Sequence, residues 1–161
     1  MPALWKMCWD GDLPGVQAAV WRGEDVNTLG KAEATVTVRQ AGQNKRMASD
    51  ISCLMCAVWG KHYDVIEFLI KQPGLDVNWA NVGGATALYS AVQLGHCRAI
   101  RMIVSHPRFN SVNTKNVDGW TPLKMAVREG HVECINELLA VEDVDLDTGD
   151  IWGESVEELA R

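Results

Sequence analysis

The apolar positions of this chain follow a helical rhythm that stops and restarts several times, most clearly over 121–139. Leu123, Ala126 and Val127 fall on one helical face, Gly130 breaks the pattern, and Cys134, Ile135, Leu138 and Leu139 make a second stripe. Ahead of the first stripe stand Thr121, whose hydroxyl can cap a helix, and Pro122, at the first helical position where a missing N–H costs nothing. The pattern predicts two short helices joined by a glycine turn, each with one apolar face. Such a pair cannot bury both faces by itself, so copies of it must stack.

Worn copies occupy most of the chain. In 4–27 the pattern aligns with Gly11 in the place of Gly130, Pro14 falls in the first turn of the second helix, and Asp25-Val26-Asn27 closes the unit. A second copy runs from Ser52-Cys53-Leu54-Met55 to Asp76-Val77-Asn78, with Lys61 in the helix-ending glycine's place and Gly60 one position early. The third runs from Thr86-Ala87-Leu88-Tyr89 through Gly95-His96 to Ser111-Val112-Asn113. The fourth is the reference stretch, closing at Asp145-Leu146-Asp147, and a fifth begins at Gly153 and stops at Arg161 before any second helix. Its Ser155 and Glu158 have capping-box spacing. The units are assigned to about 2–27, 48–78, 81–113, 116–147 and a partial 150–161 within one domain, 1–161.

The motif Thr121-Pro122-Leu123, the glycine-histidine pairs Gly95-His96 and Gly130-His131, and the closing Val-Asn steps at Asn27, Asn78 and Asn113 resemble the ankyrin repeat. The family's period is about 33 residues. Here His62, His96 and His131 are spaced by 34 and 35, and Asn78 and Asn113 by 35. The resemblance implies an all-α solenoid of helix-turn-helix units with inter-repeat β-hairpins. One interval is long, because about 17 residues are inserted between the first and second units. Within this insert, 28–51, Thr35-Val36-Thr37-Val38-Arg39 alternates like a strand, Ala41-Gly42-Gln43-Asn44 is turn-like and Lys45-Arg46-Met47 can pair back. It is either a tolerated loop or a projecting recognition finger.

The resemblance also implies function, since ankyrin repeats bind proteins through a concave face and hairpin tips. The variable position before the Thr-Pro-Leu motif holds Trp120, and in the half unit Trp152. The positions preceding the helix-ending glycine hold Trp9 and Asp10, then Trp59, then Gln93 and Leu94, then Arg128 and Glu129. Trp79, Val82, Lys115 and Asp118 lie on the hairpins beside them. Tryptophan and arginine dominate binding hot spots, and the chain has 7 tryptophans. The alternative is that each ring merely packs on its neighbour, with Trp5 and Trp21 as core or capping residues.

Charge and chemistry narrow the classes. The net charge of -6 is uneven: 111–161 carries four basic and twelve acidic residues, leaving eleven and nine for 1–110. An acidic end disfavours nucleic acid, and it either solvates the surface or steers toward a basic protein. No apolar run approaches the roughly 18 residues of a membrane span. The 5 cysteines, an odd number at core-like positions, suggest a reducing compartment, so the cytoplasm or else the nucleus is expected. The three histidines sit on successive packed helices about 8–10 Å apart, too far to share an ion, and they are read as hydrogen-bonded at helix starts. Cys53-Leu54-Met55-Cys56 is a solitary Cys-x-x-Cys, more in keeping with buried core than with redox or zinc chemistry. A non-catalytic, monomeric protein-binding module follows, without cofactor, metal, membrane or small-molecule substrate. The rival readings are a small ankyrin-type inhibitor of an enzyme such as a kinase, and a thiol-redox or metal protein using Cys53 and Cys56.

Overall fold

The computed structural model describes residues 1–40 and 43–146, the side chains of 32–49 excepted. Eight helices and one two-stranded sheet make up the described residues: α1 (Leu4–Asp10), α2 (Leu13–Trp21), β1 (Leu29–Gln40), β2 (Gln43–Ser52), α3 (Cys53–Trp59), α4 (Tyr63–Ile70), α5 (Ala87–Gln93), α6 (Cys97–Val104), α7 (Pro122–Glu129) and α8 (Val132–Leu139). The half unit at 150–161 lies outside them.

Hydroxyls start the first helix of three units. Ser52 Oγ accepts from the Met55 N–H at 3.2 Å, Thr86 Oγ1 from Tyr89 at 3.1 Å and Thr121 Oγ1 from Lys124 at 3.3 Å. Each satisfies one of the donors a helix start leaves without an intrahelical partner. The turn that follows needs a left-handed residue, supplied by Gly11, Gly95 and Gly130 at φ of 74°, 69° and 72°. In the second unit Lys61 adopts it instead, at φ 61°, a conformation that crowds a Cβ.

The helices form two rows. α1 packs on α3, α3 on α5 and α5 on α7; α2, α4, α6 and α8 stack in the same order behind them. One continuous core runs between the rows, from Leu4 and Cys8 through Leu54, Ile66, Leu88 and Ile100 to Leu123 and Leu138, all nearly inaccessible. Because each unit buries its face on its neighbours, stability is cooperative along the stack.

Two sets of polar side chains tie neighbouring units. Asn27, Asn78 and Asn113 each use both amide atoms on the backbone of the next unit. Asn78 Nδ2 donates to the Arg108 carbonyl at 2.7 Å while its Oδ1 accepts from Asn110 N–H at 2.9 Å. Asn27 does the same with Gly74 and Asp76 at 2.8 and 2.7 Å, and Asn113 with Asp143 and Asp145 at 2.7 and 2.8 Å.

The histidines form the other set, and here the expectation of helix-start capping is corrected. His62, His96 and His131 are N-cap residues without a side-chain cap bond. Their rings reach back to the last turn of the preceding unit's first helix. His62 Nε2 meets the Trp9 carbonyl at 3.0 Å, His96 Nδ1 the Val58 carbonyl at 3.1 Å and His131 Nε2 the Gln93 carbonyl at 3.4 Å. The Trp9 and Gln93 carbonyls are among those a helix end leaves without an intrahelical partner, and the Val58 carbonyl, which also accepts from the Lys61 N–H at 3.1 Å, offers its second lone pair to the ring.

The insert forms a finger whose pairing exceeds the strand expected from 35–39. β1 and β2 are antiparallel from Leu29↔Ser52 to Gln40↔Gln43, with an irregularity between Ala32 and Thr35. Gln43 and Asn44, read as turn residues, belong to β2, and Ala41 and Gly42 lie outside the described residues. The base of the finger is fixed by Gly30, where a Cβ would meet Trp5 Cδ2 at 2.4 Å, so the indole lies directly on bare backbone.

Candidate functional site

The side chains at the ends of α3, α5 and α7 and the hairpins between units enclose a groove of about 330 Å³. It is lined by Met55, Trp59, Tyr89, Gln93, Met125 and Arg128 from the helices and by Asn81, Val117, Asp118 and Trp120 from the hairpins. Five residues singled out from the sequence therefore meet in one place: Trp59, Gln93, Asp118, Trp120 and Arg128.

The hairpin tips are shaped by asparagine. Asn116 Oδ1 accepts from Asp118 N–H at 3.1 Å and Trp120 N–H at 2.8 Å, and Nδ2 reaches the Tyr89 hydroxyl at 3.0 Å. Asn81 repeats the arrangement one unit earlier, accepting from Gly83 at 2.9 Å and Ala85 at 3.0 Å. An amide oxygen that takes the N–H groups two and four residues further on closes the loop as a backbone turn would. Trp120 is thus held from its own backbone, and its half-buried ring packs on the core. The Arg128 guanidinium sits 5.0 Å from the ring centroid, a cation–π contact that fixes both groups.

Tyr89 is the wall that sequence reading missed. It is 4% exposed, and burial, followed by the Asp118 carboxylate, pushes its phenol up to about 12, so it stays a neutral hydroxyl. Its signal was present: Trp5, Met55, Tyr89 and Lys124 occupy one repeat position, where the family carries histidine. At that position Met55 and Tyr89 face the groove, and Lys124 is fully buried.

The remaining candidates lie outside this groove. Trp9 and Trp59, 38% and 36% exposed, form a tilted pair with centroids 5.8 Å apart, so Trp9 extends the aromatic surface without lining the cavity. Asp10 is ion-paired with Lys6 on the surface. Val82 and Leu94 are exposed, as is Lys115, and Glu129 lies beside Arg128 at 3.8 Å. Trp79 packs partly on the core, which matches the alternative of neighbour packing. Trp5 is likewise half-buried, whereas Trp21 at the end of α2 is 75% exposed. Trp152 lies outside the described residues.

The Cys-x-x-Cys has little access to solvent reagents. Cys53 and Cys56 are fully buried; Cys53 Sγ donates to the Thr28 carbonyl at 3.2 Å. Burial first and Cys53 second push the Cys56 thiol up to about 12. Cys8 is raised further, by its hydrogen bond with Cys53 and then by burial. The Cys56 and Cys8 thiols are therefore protonated and poor nucleophiles. Among the described residues no three His, Cys, Asp or Glu side chains are grouped to hold a metal, and no helix is long and apolar enough to cross a membrane.

A family model described as ankyrin repeats, in 3 copies, matches residues 4–113 and again 54–150. No curated protein matches the chain.

Proposed function

This chain belongs to the ankyrin-repeat family, and from that premise we propose that it is a non-catalytic module that binds a protein partner through the groove between Trp59 and Trp120 and the hairpin tips beside it. Ankyrin repeats are generally protein-interaction modules, so the family supplies the kind of function and the surface must supply the specificity.

The observation that carries this reading is the groove's composition. Two indoles and an arginine converge at one concavity, and Trp120 and Arg128 are already held by Asn116 and by each other. Groups fixed before binding lose little conformational entropy when a partner seats on them. The polar edge of Gln93, Asp118 and Arg128 gives orientation, while Met55, Met125 and the rings give apolar area.

The test is affinity capture from native cell extract with the wild-type chain, Trp59→Ala and Trp120→Ala, followed by mass spectrometry and titration of the captured protein. Removing either ring is expected to weaken binding by about 2 kcal/mol or more, the scale of an interface hot spot. Because Trp120 packs on the core, Trp59→Ala at the exposed end of α3 is the cleaner variant. Unchanged affinity in both variants, with folding intact, would sink the proposal.

A further inference from the structure

The one cysteine pair that combines proximity with access lies on the outer row of helices, away from the groove. Cys97 opens α6 and is partly exposed, whereas Cys134 is buried in α8. Their Sγ atoms are 2.7 Å apart although the residues are 37 positions apart in sequence. Both are free thiols.

A second contact holds the two helices in that register. Arg101, one turn after Cys97, donates from Nε to Glu137 Oε1 at 2.6 Å and from Nη2 to Glu133 Oε1 at 2.8 Å. The two carboxylates flank Cys134 on α8, at the positions before it and three after it. One guanidinium therefore bridges α6 to α8 directly beside the sulfur pair.

We propose that Cys97 and Cys134 are a reversible oxidation site, at which a hydroperoxide converts the thiol pair to a disulfide that staples the third repeat to the fourth. Cys97 is the sulfur that meets the oxidant. It attacks one peroxide oxygen, the O–O bond breaks, and the sulfur becomes a sulfenic acid as one water or alcohol leaves with the proton. Cys134 then attacks that sulfur; the S–S bond forms, the S–O bond breaks, and the hydroxyl departs with the Cys134 proton as water. Two electrons pass from the pair to the peroxide, and an added dithiol returns them.

The order of events follows from the surroundings of each sulfur. Burial and the hydrogen bond to Cys97 push the reduced Cys134 thiol up to about 12, with Cys97, Glu133 and Glu137 adding repulsion. Oxidising Cys97 removes its share of both effects and presents an electrophile at contact distance. Cys8, Cys53 and Cys56 are buried away from the oxidant, which makes the reaction selective.

The purified chain is treated with hydrogen peroxide under native conditions and mapped by peptide mass spectrometry without reduction. Two of the five thiols should disappear, a Cys97–Cys134 linked peptide should appear, and a dithiol should restore both. Amide exchange across α7 and α8 should slow by about tenfold in the oxidised form, since the staple suppresses opening of the fourth repeat. In Cys134→Ser the sulfenic acid on Cys97 should accumulate and be trapped by a cyclic 1,3-diketone, whereas the wild type should give little adduct. Linkage among Cys8, Cys53 and Cys56, or Cys97 over-oxidised in the wild type without any cross-link, would overturn the proposal. The wild-type map alone decides this if Cys134→Ser fails to fold.

Discussion

Asn78→Ala tests whether the inter-repeat asparagines hold the stack or merely decorate it. The substitution deletes two hydrogen bonds, the donation to the Arg108 carbonyl at 2.7 Å and the acceptance from Asn110 N–H at 2.9 Å. Each bond contributes a net ~0.5–1.5 kcal/mol, so the pair is worth about 1–3. Arg108 and Asn110 are exposed, and water can replace part of what is lost. The expected destabilisation is therefore in the lower half of that range, about 1–2 kcal/mol. Urea unfolding should show a lower midpoint at an unchanged slope, since the surface exposed on unfolding does not change. Asn78→Asp separates the two bonds: it keeps the acceptor for Asn110 but sets a carboxylate against the Arg108 carbonyl, and it should cost at least as much as the lost donor. An unfolding free energy for Asn78→Ala within about 0.3 kcal/mol of wild type would refute the reasoning and assign the linkage to apolar packing alone.

Three further outcomes follow from particular side chains. Lys61→Gly relieves the left-handed Cβ crowding at φ 61°, and after the extra backbone entropy of glycine it should stabilise by about 0.5–1 kcal/mol; thermal melting at a lower temperature would contradict this. Ser111 Oγ is buried with no hydrogen-bond partner among the described residues, so Ser111→Ala should be neutral or stabilise by up to about 1 kcal/mol, whereas a clear loss would reveal a partner for the hydroxyl. His96 and His106 are both held below the usual histidine range, chiefly by burial, with Lys61 and Arg108 respectively adding like charge. The unfolded chain then takes up protons that the folded chain resists, so stability is complete above pH about 6.5 and is lost as pH falls below it. Urea midpoints at pH 7 and pH 5.5 should differ in that sense, less so in His96→Gln, and a rise toward acid would be the wrong sign.

The repeat architecture was legible because it rests on local chemistry that recurs. Thr121 before Pro122 announces a helix start, and Gly130 announces its end. The landmark spacing of His62, His96 and His131 announced the stack. Their role was not legible, because a histidine that caps its own helix and one that caps the previous repeat leave the same trace in sequence. Only the stack brings the Trp9, Val58 and Gln93 carbonyls within reach. Asn27, Asn78 and Asn113 were visible as periodic marks for the same reason, and invisible as two-pronged ties. The groove was half legible: the resemblance to the ankyrin repeat selected Trp59, Trp120 and Arg128 from their places at helix ends and hairpins. Tyr89 and Asn116 were missed because their function is relational, the hydroxyl of one completing the amide of the other across a repeat boundary.

That relation bears on how such a surface can change partners. Asn116 shapes the hairpin, positions Trp120 and binds Tyr89, so altering it disturbs the scaffold and the groove together. Trp59, Gln93 and Arg128 are placed differently. They sit at or near the last turn of α3, α5 and α7, where the main chain contributes the structural contact, as when the Gln93 carbonyl receives the His131 ring, and the side chain is left to the groove. A side chain whose contacts are with other groove side chains can be exchanged at smaller cost to the scaffold than one that ties the hairpin backbone. The same separation governs the Cys97–Cys134 pair, which lies on the outer row. Oxidation there stiffens the repeat that carries Trp120 and Arg128 without touching either side chain, and the groove's chemistry is unchanged while the frequency with which its far wall opens is reduced.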